Sequence, residues 1–303
     1  MMSQETLSEF VGLEREVLEA ISRRLPKKRL CFFPYIGGKF NLLKTLVPLI
    51  PPHEVYVEVF GGAANLLLNK PPSKAEVYND VDGDLVNLFL VIRDRQEEFI
   101  ERFKWILYSR ELYLKWVDEP PPKDPVERAA RYYYVLRCSF SGVLTHAGWG
   151  FKRKAHIHAP EIFWNALEKT ELIAERLKNC YIDRLDFRRC FKNWDTPETF
   201  FFLDPPYYGL DYYAQNFSEQ DHIDLRTVLG NIQGKWLMTY GDHPRIRELY
   251  TGFEMDVVKQ RRCANKMIES KRGQFSNLLV ANYPLKPTRP IQRFSQFQKQ
   301  LLS

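Results

Sequence analysis

No stretch of the 303-residue chain stays apolar long enough to cross a membrane, which takes about 18 residues or more, so no transmembrane helix is expected. The amino terminus is polar and acidic, not a basic segment followed by an apolar one. No secretory leader is therefore expected, and the sequence reads as a cytoplasmic protein. Cysteine is scarce and scattered: Cys31, Cys138, Cys180, Cys190 and Cys263 are odd in number and form no C-x-x-C pair. Reduced thiols follow, with neither a disulfide frame nor a cysteine zinc site. His146, His156 and His158 share one stretch, but no carboxylate or thiol completes a ligand set there, so no metal is expected. The chain lacks G-x-G-x-x-G, and Gly37-Gly38-Lys39 lacks the spacing of a phosphate-binding P-loop. A nicotinamide dinucleotide and a nucleoside triphosphate are both disfavoured.

What is present is a large apolar fraction. Hydrophobic residues make up 45% of the chain and aromatic residues 14%, which supports one large core or a core plus an insertion. The net charge of +6 is compatible with a polyanionic partner without requiring one.

The chain is organised around Phe201-Phe202-Leu203-Asp204-Pro205-Pro206-Tyr207. The apolar run has strand character, and two prolines end it because each lacks an N–H and has a fixed φ. Asp204 then lies just past the carboxyl end of a buried strand, where open α/β sheets bind ligands. A carboxylate (Asp204), a proline-fixed carbonyl (Pro205) and an aromatic face (Tyr207) suit a flat heterocycle bearing an amino group. The exocyclic nitrogen of adenine is conjugated and a poor nucleophile. Acceptors on both its N–H bonds localise the lone pair, which is preorganised electrostatic catalysis without a covalent intermediate.

Val55–Phe60 reads as a strand that enters Gly61-Gly62 and then a helix from Ala63 to Asn69. Strand, glycine turn and helix open a nucleotide-binding half-sheet. A second strand ends at Asn79-Asp80, about 20 residues on, where a carboxylate bonds ribose hydroxyls. The simpler role for Asp80 is the N-cap of the helix that follows. Asp186-Phe187 sits at a third strand end, placed to hold an adenine by its amino group and its face. Residues 84–118 read as largely helical, 119–125 as a stiff loop, and a further helix carries Tyr132 to Arg137. From Ser139 to His158 cations alternate with aromatics, a pattern that suits phosphates and exposed bases. Arg137, Ser139, Lys152, Arg153 and Lys154 are the candidate DNA contacts. Tyr208, Asp211, Tyr212 and Tyr213 make a candidate lid. Two strands near 255–262 and 277–283 flank a basic tip with Lys266, Lys271 and Arg272. Residues 3–25 read as an amphipathic helix followed by a basic linker.

Assembled, these motifs resemble the DNA adenine-N6 methyltransferases of the Dam (D12) class. The likeness rests on Pro34–Lys39, Glu58–Asn65, Asn79-Asp80, Asp186-Phe187, Asp204–Tyr207 and the closing strand, in order and spacing, across about residues 30–284. It implies an α/β, Rossmann-like fold dependent on S-adenosyl-L-methionine, with a mixed sheet, a terminal antiparallel hairpin and a mainly helical target-recognition insertion. The division implied is 1–29 as helix and linker, 30–94 and 171–284 as the catalytic domain, 95–170 as the insertion and 285–303 as a tail. By motif position, Tyr35 and Lys39 lie at the cofactor or the site mouth. Glu58, Phe60, Gly61 and Gly62 belong to the cofactor site, with its methionine end lined by the first three. Asp80 takes the ribose, and Asp186 with Phe187 the cofactor adenine. Asp204, Pro205, Pro206 and Tyr207 form the catalytic turn that holds the target adenine of double-stranded DNA. The glycine turn departs from the usual Phe-x-Gly-x-Gly by ending in Ala63-Ala64. A monomer is the default assembly. N4-cytosine methylation, RNA adenine methylation and a catalytically silent DNA-binding protein remain open alternatives.

Overall fold

The structure is a computed structural model that describes residues 30–35, 37–139, 148–150, 158–209, 216–260 and 275–286. The amino-terminal helix, Lys152, Arg153, Lys154, the lid tyrosines 212 and 213, and the basic tip lie outside the described residues.

Strands β1 (Val55–Glu58), β2 (Ala75–Asn79), β3 (Cys180–Asp183), β4 (Thr199–Leu203), β5 (Lys235–Gly241), β6 (Glu254–Gln260) and β7 (Phe275–Ala281) form one sheet in the order β3-β2-β1-β4-β5-β7-β6. The first five are mutually parallel, and β7 runs antiparallel between β5 and β6. The expected mixed sheet with a closing antiparallel hairpin is therefore present. Burial on both faces explains the near-continuous apolar strands: all five residues of β4 are buried. Side chains alternate between two cores with the period of a pleated strand. Tyr56, Tyr78, Phe200, Phe202 and Leu237 face one core; Val57, Val77, Phe201, Leu203 and Met238 face the other.

The helices are α1 (Leu43–Leu46), α2 (Asn65–Asn69), α3 (Gly83–Asp94), α4 (Gln96–Glu101), α5 (Arg110–Asp118), α6 (Pro125–Cys138), α7 (Ala159–Leu167), α8 (Thr170–Leu177), α9 (Phe187–Trp194), α10 (Glu219–Leu229) and α11 (Pro244–Leu249). On the first face Phe89 of α3, Tyr133 of α6 and Ile173 of α8 share a core with the sheet, so the helices between β2 and β3 are packed into the fold. Phe191, Leu225 and Ile246 of α9, α10 and α11 cover the second face.

The long helix expected over 84–118 is divided. Arg95 separates α3 from α4, and residues 102–109 separate α4 from α5. Tyr134 pins the second break: its hydroxyl accepts from the Ser109 N–H at 2.8 Å and lies 2.9 Å from the Leu107 carbonyl as donor. Asp82, not Asp80, caps α3, with its carboxylate accepting from the backbone N–H groups of Asp84 and Leu85. Strand order reverses between β1 and β4, so their carboxyl ends open the crevice that receives ligands in sheets of this kind.

Candidate active site

Four strand ends and the loop before α1 enclose a cavity of about 250 Å³ at the carboxyl edge of the sheet. Tyr35, Lys39, Glu58, Phe60, Gly61, Gly62, Asp80, Asp186 and Phe187 all line it, together with Asp204 and Pro206. The glycine bend and the Asp-Pro-Pro turn thus share one enclosure. Pro205 and Tyr207 lie outside its lining.

The bend after β1 is tightly determined. The Gly61 N–H donates to the Asn79 carbonyl at 2.8 Å, and the Gly62 N–H donates to Asp80 Oδ2 at 2.8 Å. A Cβ on Gly61 would stand 2.2 Å from the ring of Tyr78, whose hydroxyl is bonded to the Gly62 carbonyl at 2.9 Å. Only glycine fits beside that ring. Gly62 at φ +48° and Ala64 at φ +52° are both left-handed. Ala64 is the departure from the usual glycine pattern, and it holds a conformation that disfavours any side chain. Its methyl is fully buried, so packing offsets part of the backbone cost. Asn79 joins three strand ends. Its amide donates to the carbonyls of Val59 and Leu185 and accepts from the Leu185 N–H.

Three carboxylates face the cavity from successive strand ends. Glu58 is buried and accepts from the Tyr56 hydroxyl at 3.0 Å and the Leu67 N–H at 2.9 Å. Burial outweighs these bonds and pushes its carboxyl up to about 8, so it is largely protonated at neutral pH. Asp80 accepts from Gly62 and Asp82, and burial still pushes it up to about 6. Asp186 caps α9 through the Arg188 N–H and pairs with the Arg188 guanidinium, which also lies 4.2 Å from the centre of the Phe187 ring. Phe60, Phe187 and Phe217 form an aromatic wall, with centroids 5.4–5.9 Å apart.

Across the cavity, Lys39 Nζ lies 2.5 Å from both oxygens of Asp204 and donates to the Gly37 carbonyl at 2.6 Å. Thr239 donates to Asp204 Oδ1 at 2.9 Å. Burial holds the Asp204 carboxyl above the ordinary carboxylate range, and the Lys39 ammonium is the strongest opposing influence. The Tyr207 ring stacks on Tyr240, with centroids 5.1 Å apart and planes 17° apart, and its hydroxyl is 3.3 Å from Asn277 Oδ1. Lys39 Nζ sits 5.1 Å from the Tyr207 centroid.

Arg137 and Ser139 lie away from this cavity. Arg137 donates to the Ile162 carbonyl at 2.6 Å, and the buried Ser139 donates to the Leu136 carbonyl at 3.0 Å. His158 is exposed, and no group of three His, Cys, Asp or Glu with metal-binding geometry occurs among the described residues.

Residues 35–263 match the family model described as D12 class N6 adenine-specific DNA methyltransferase. The chain belongs to that family. It is 28% identical over 279 residues to the type II methyltransferase M1.LlaDCHI of Lactococcus lactis subsp. cremoris, covering 83% of this chain and 95% of that protein. It is 28% identical over 258 residues to the type II methyltransferase M.CviBI of Paramecium bursaria Chlorella virus NC1A, covering 82% and 97%. It is 23% identical over 258 residues to the DNA adenine methylase of Escherichia coli (strain K12), covering 78% and 89%.

Several residues of this D12 methyltransferase escaped the sequence reading. Asp82, Asn216, Phe217 and Asp221 also line the cavity. Nothing local marks Phe217 as a wall of the site or Thr239 as an Asp204 partner. No helix among the described residues is long and apolar enough to cross a membrane.

Proposed function

We propose that the chain transfers a methyl group from S-adenosyl-L-methionine to N6 of an adenine that has left the stack of duplex DNA. The observation that carries this is the shared cavity: the glycine bend at Gly61 and the carboxylate of Asp204 line the same space. The lining fits a nucleoside cofactor: Asp80 and Asp186 offer acceptors for ribose hydroxyls and an amino group, the glycine backbone allows close approach, and Phe60, Phe187 and Phe217 offer faces for a purine.

In this reading Glu58, Phe60 and Gly61 line the methionine end, with Gly62 beside them. Asp80 accepts from ribose hydroxyls, and Asp186 with Phe187 holds the purine. Tyr35 stands beside the glycine bend, and Lys39 reaches Asp204 from within the cavity. The bound cofactor supplies an activated methyl group whose sulfur departs as a neutral thioether, so the protein needs no nucleophile of its own. The target nitrogen is buried in pairing within the duplex, so the base must flip to reach Asp204. Asp204 and the Pro205 carbonyl accept its two amine hydrogens, and Tyr207 offers the face of its ring not stacked on Tyr240. As the N6–methyl bond forms, the nitrogen sheds one proton toward the Asp204 side. Lys39 keeps Asp204 ionised so that it accepts rather than donates. The insertion, residues 95–170, and its cations Lys152, Arg153 and Lys154 follow the duplex.

Sequencing that detects modified bases, applied to DNA from cells expressing the chain, tests this. The expected result is N6-methyladenine at one recurring motif. N4-methylcytosine, methylation confined to RNA, or unmodified nucleic acid by mass spectrometry of nucleosides would each overturn it.

A further inference from the structure

We propose that Tyr240 and His222 are positioning residues that set the geometry of the target-base turn; this rests on the adenine-methylation reading above. Tyr240 lies on β5 and His222 on α10, and both are almost fully buried. Neither lines the cavity. The Tyr240 hydroxyl is 3.0 Å from the Pro206 carbonyl as donor and 2.8 Å from His222 Nδ1.

A phenol carries one hydrogen, so these two short contacts form a chain with a direction. The hydroxyl donates to the Pro206 carbonyl, and the imidazole therefore donates to the hydroxyl from Nδ1. Bonds linked in this way polarise and strengthen one another in a buried setting. The Pro206 carbonyl and the Tyr207 N–H belong to one peptide plane. Fixing that carbonyl fixes ψ of Pro206, whose φ the ring already holds. The next residue is then aimed. The same Tyr240 side chain stacks on the Tyr207 ring, so one residue holds both the backbone entering Tyr207 and the face behind it. Gly241 leaves room for this: a Cβ there would approach the Tyr207 ring to 3.0 Å.

His222 extends the link to the far wall of the cavity. Its ring packs 5.2 Å from Tyr208, which follows the turn, and 5.2 Å from Phe217, which lines the cavity beside Phe60 and Phe187. The pair thus braces the base-holding side against the cofactor side. Its worth is in the reacting geometry rather than in the affinity for either ligand.

The test is single-turnover transfer of a labelled methyl group by the full chain. The substrate is a duplex carrying the motif found by sequencing, with the enzyme in saturating excess over the DNA and the cofactor saturating. Tyr240→Phe keeps the stacked ring and removes the hydrogen-bond chain. Its rate constant is expected to fall about ten-fold, the effect of one well-placed hydrogen bond, with cofactor affinity changed less than about two-fold. His222→Leu should match it, and His222→Asn, whose amide can donate from the place of Nδ1, should stay within about three-fold of the wild type. Tyr240→Phe combined with His222→Leu should be no slower than either alone, because both break one chain. A wild-type rate in Tyr240→Phe, fully additive losses, or an Asn variant as slow as the Leu variant would overturn the proposal. So would a rate loss matched by an equal loss of cofactor affinity, the mark of general loosening. A wild-type chain that transfers no methyl group would show separately, and would remove the adenine reading and this inference together.

Discussion

Replacing Lys39 by methionine removes one charge of a buried pair and strands the other. Lys39 is 4% exposed and the Asp204 side chain 16% exposed, with Nζ 2.5 Å from both carboxylate oxygens. Unit charges about 3 Å apart at an effective dielectric of about 20 attract by about 5 kcal/mol. Desolvation of the ammonium offsets part of this, and breaking one partner of a buried pair costs about 3–5 kcal/mol. The variant escapes most of that cost if Asp204 binds a proton. Even about 2.7 kcal/mol corresponds to about a hundred-fold change in its proton affinity. On the proposed reading, a protonated Asp204 offers a donor where the target amine needs an acceptor. The acid limb of the pH–rate profile should therefore move to higher pH by about the same factor, with turnover recovering in alkali. Stability gives an independent sign. Asp204 in the folded chain already binds its proton more tightly than in the unfolded chain. Such a group leaves stability intact at acid pH and withdraws it as pH rises through the folded-state value. Loss of Lys39 raises that value further. The deficit of Lys39→Met against the wild type should then grow with pH, and should vanish where the carboxyl is protonated in both. Single-turnover rates and urea unfolding, each taken across a pH series, measure the two effects. An unmoved acid limb, or a deficit independent of pH, would refute the idea that Lys39 acts by keeping Asp204 ionised.

Asp204→Ala should lower methyl transfer by about a thousand-fold, the loss of a preorganised electrostatic group, while cofactor affinity by calorimetry stays within about three-fold. Gly61→Ala drives a methyl into the buried Tyr78 ring and should cost about 1–3 kcal/mol in urea unfolding and weaken cofactor binding; a neutral result would mean that the bend is not held against that ring. Glu58 binds its proton up to about 8 when folded but only to its ordinary value when unfolded, so its contribution to stability drains away as pH rises between those two values. Glu58→Gln keeps an acceptor for Tyr56 and Leu67, and should gain on the wild type by at most about 1.4 kcal/mol per pH unit across that window and level off above it.

Strand ends were legible in this sequence because parallel strands buried on both faces read as unbroken apolar runs, and the residues that stop such runs are turn formers. Phe201–Leu203 halted by Pro205-Pro206, and Val55–Val59 halted by Gly61-Gly62, are cases of this. A parallel sheet also places all its carboxyl ends along one edge. Reading Asp80, Asp186 and Asp204 as strand-end residues was therefore enough to expect them together, whereas Glu58, inside the first strand, came to the site only through the family resemblance. What stayed hidden depends on pairing across sequence distance. Lys39 and Asp204 are 165 residues apart, and local pattern gives Lys39 only a place beside glycines. Asp80 and Asp82 are two positions apart and of one residue type, so composition does not say which caps α3 and which grips the glycine bend. The hydrogen bonds decide it: Asp82 caps, and Asp80 takes the Gly62 N–H.

Ala64 and Tyr240 mark the deeper limit. At φ +52°, Ala64 contradicts its own local preference, and only a buried contact for its methyl supports it there. Tyr240 reads as one more apolar position in a central strand. Its hydroxyl acquires a role only because Pro206 and His222 arrive beside it from other elements. In both cases the backbone or the polar atom is constrained by neighbours that local periodicity does not report. A residue whose local preference is overridden, or whose buried polar atom finds two partners, is where this fold holds geometry that the reaction uses. The residues proposed to touch substrate stand out in the sequence because their chemistry is conspicuous. The residues proposed to aim them are ordinary by type and come into view only once the chain is folded.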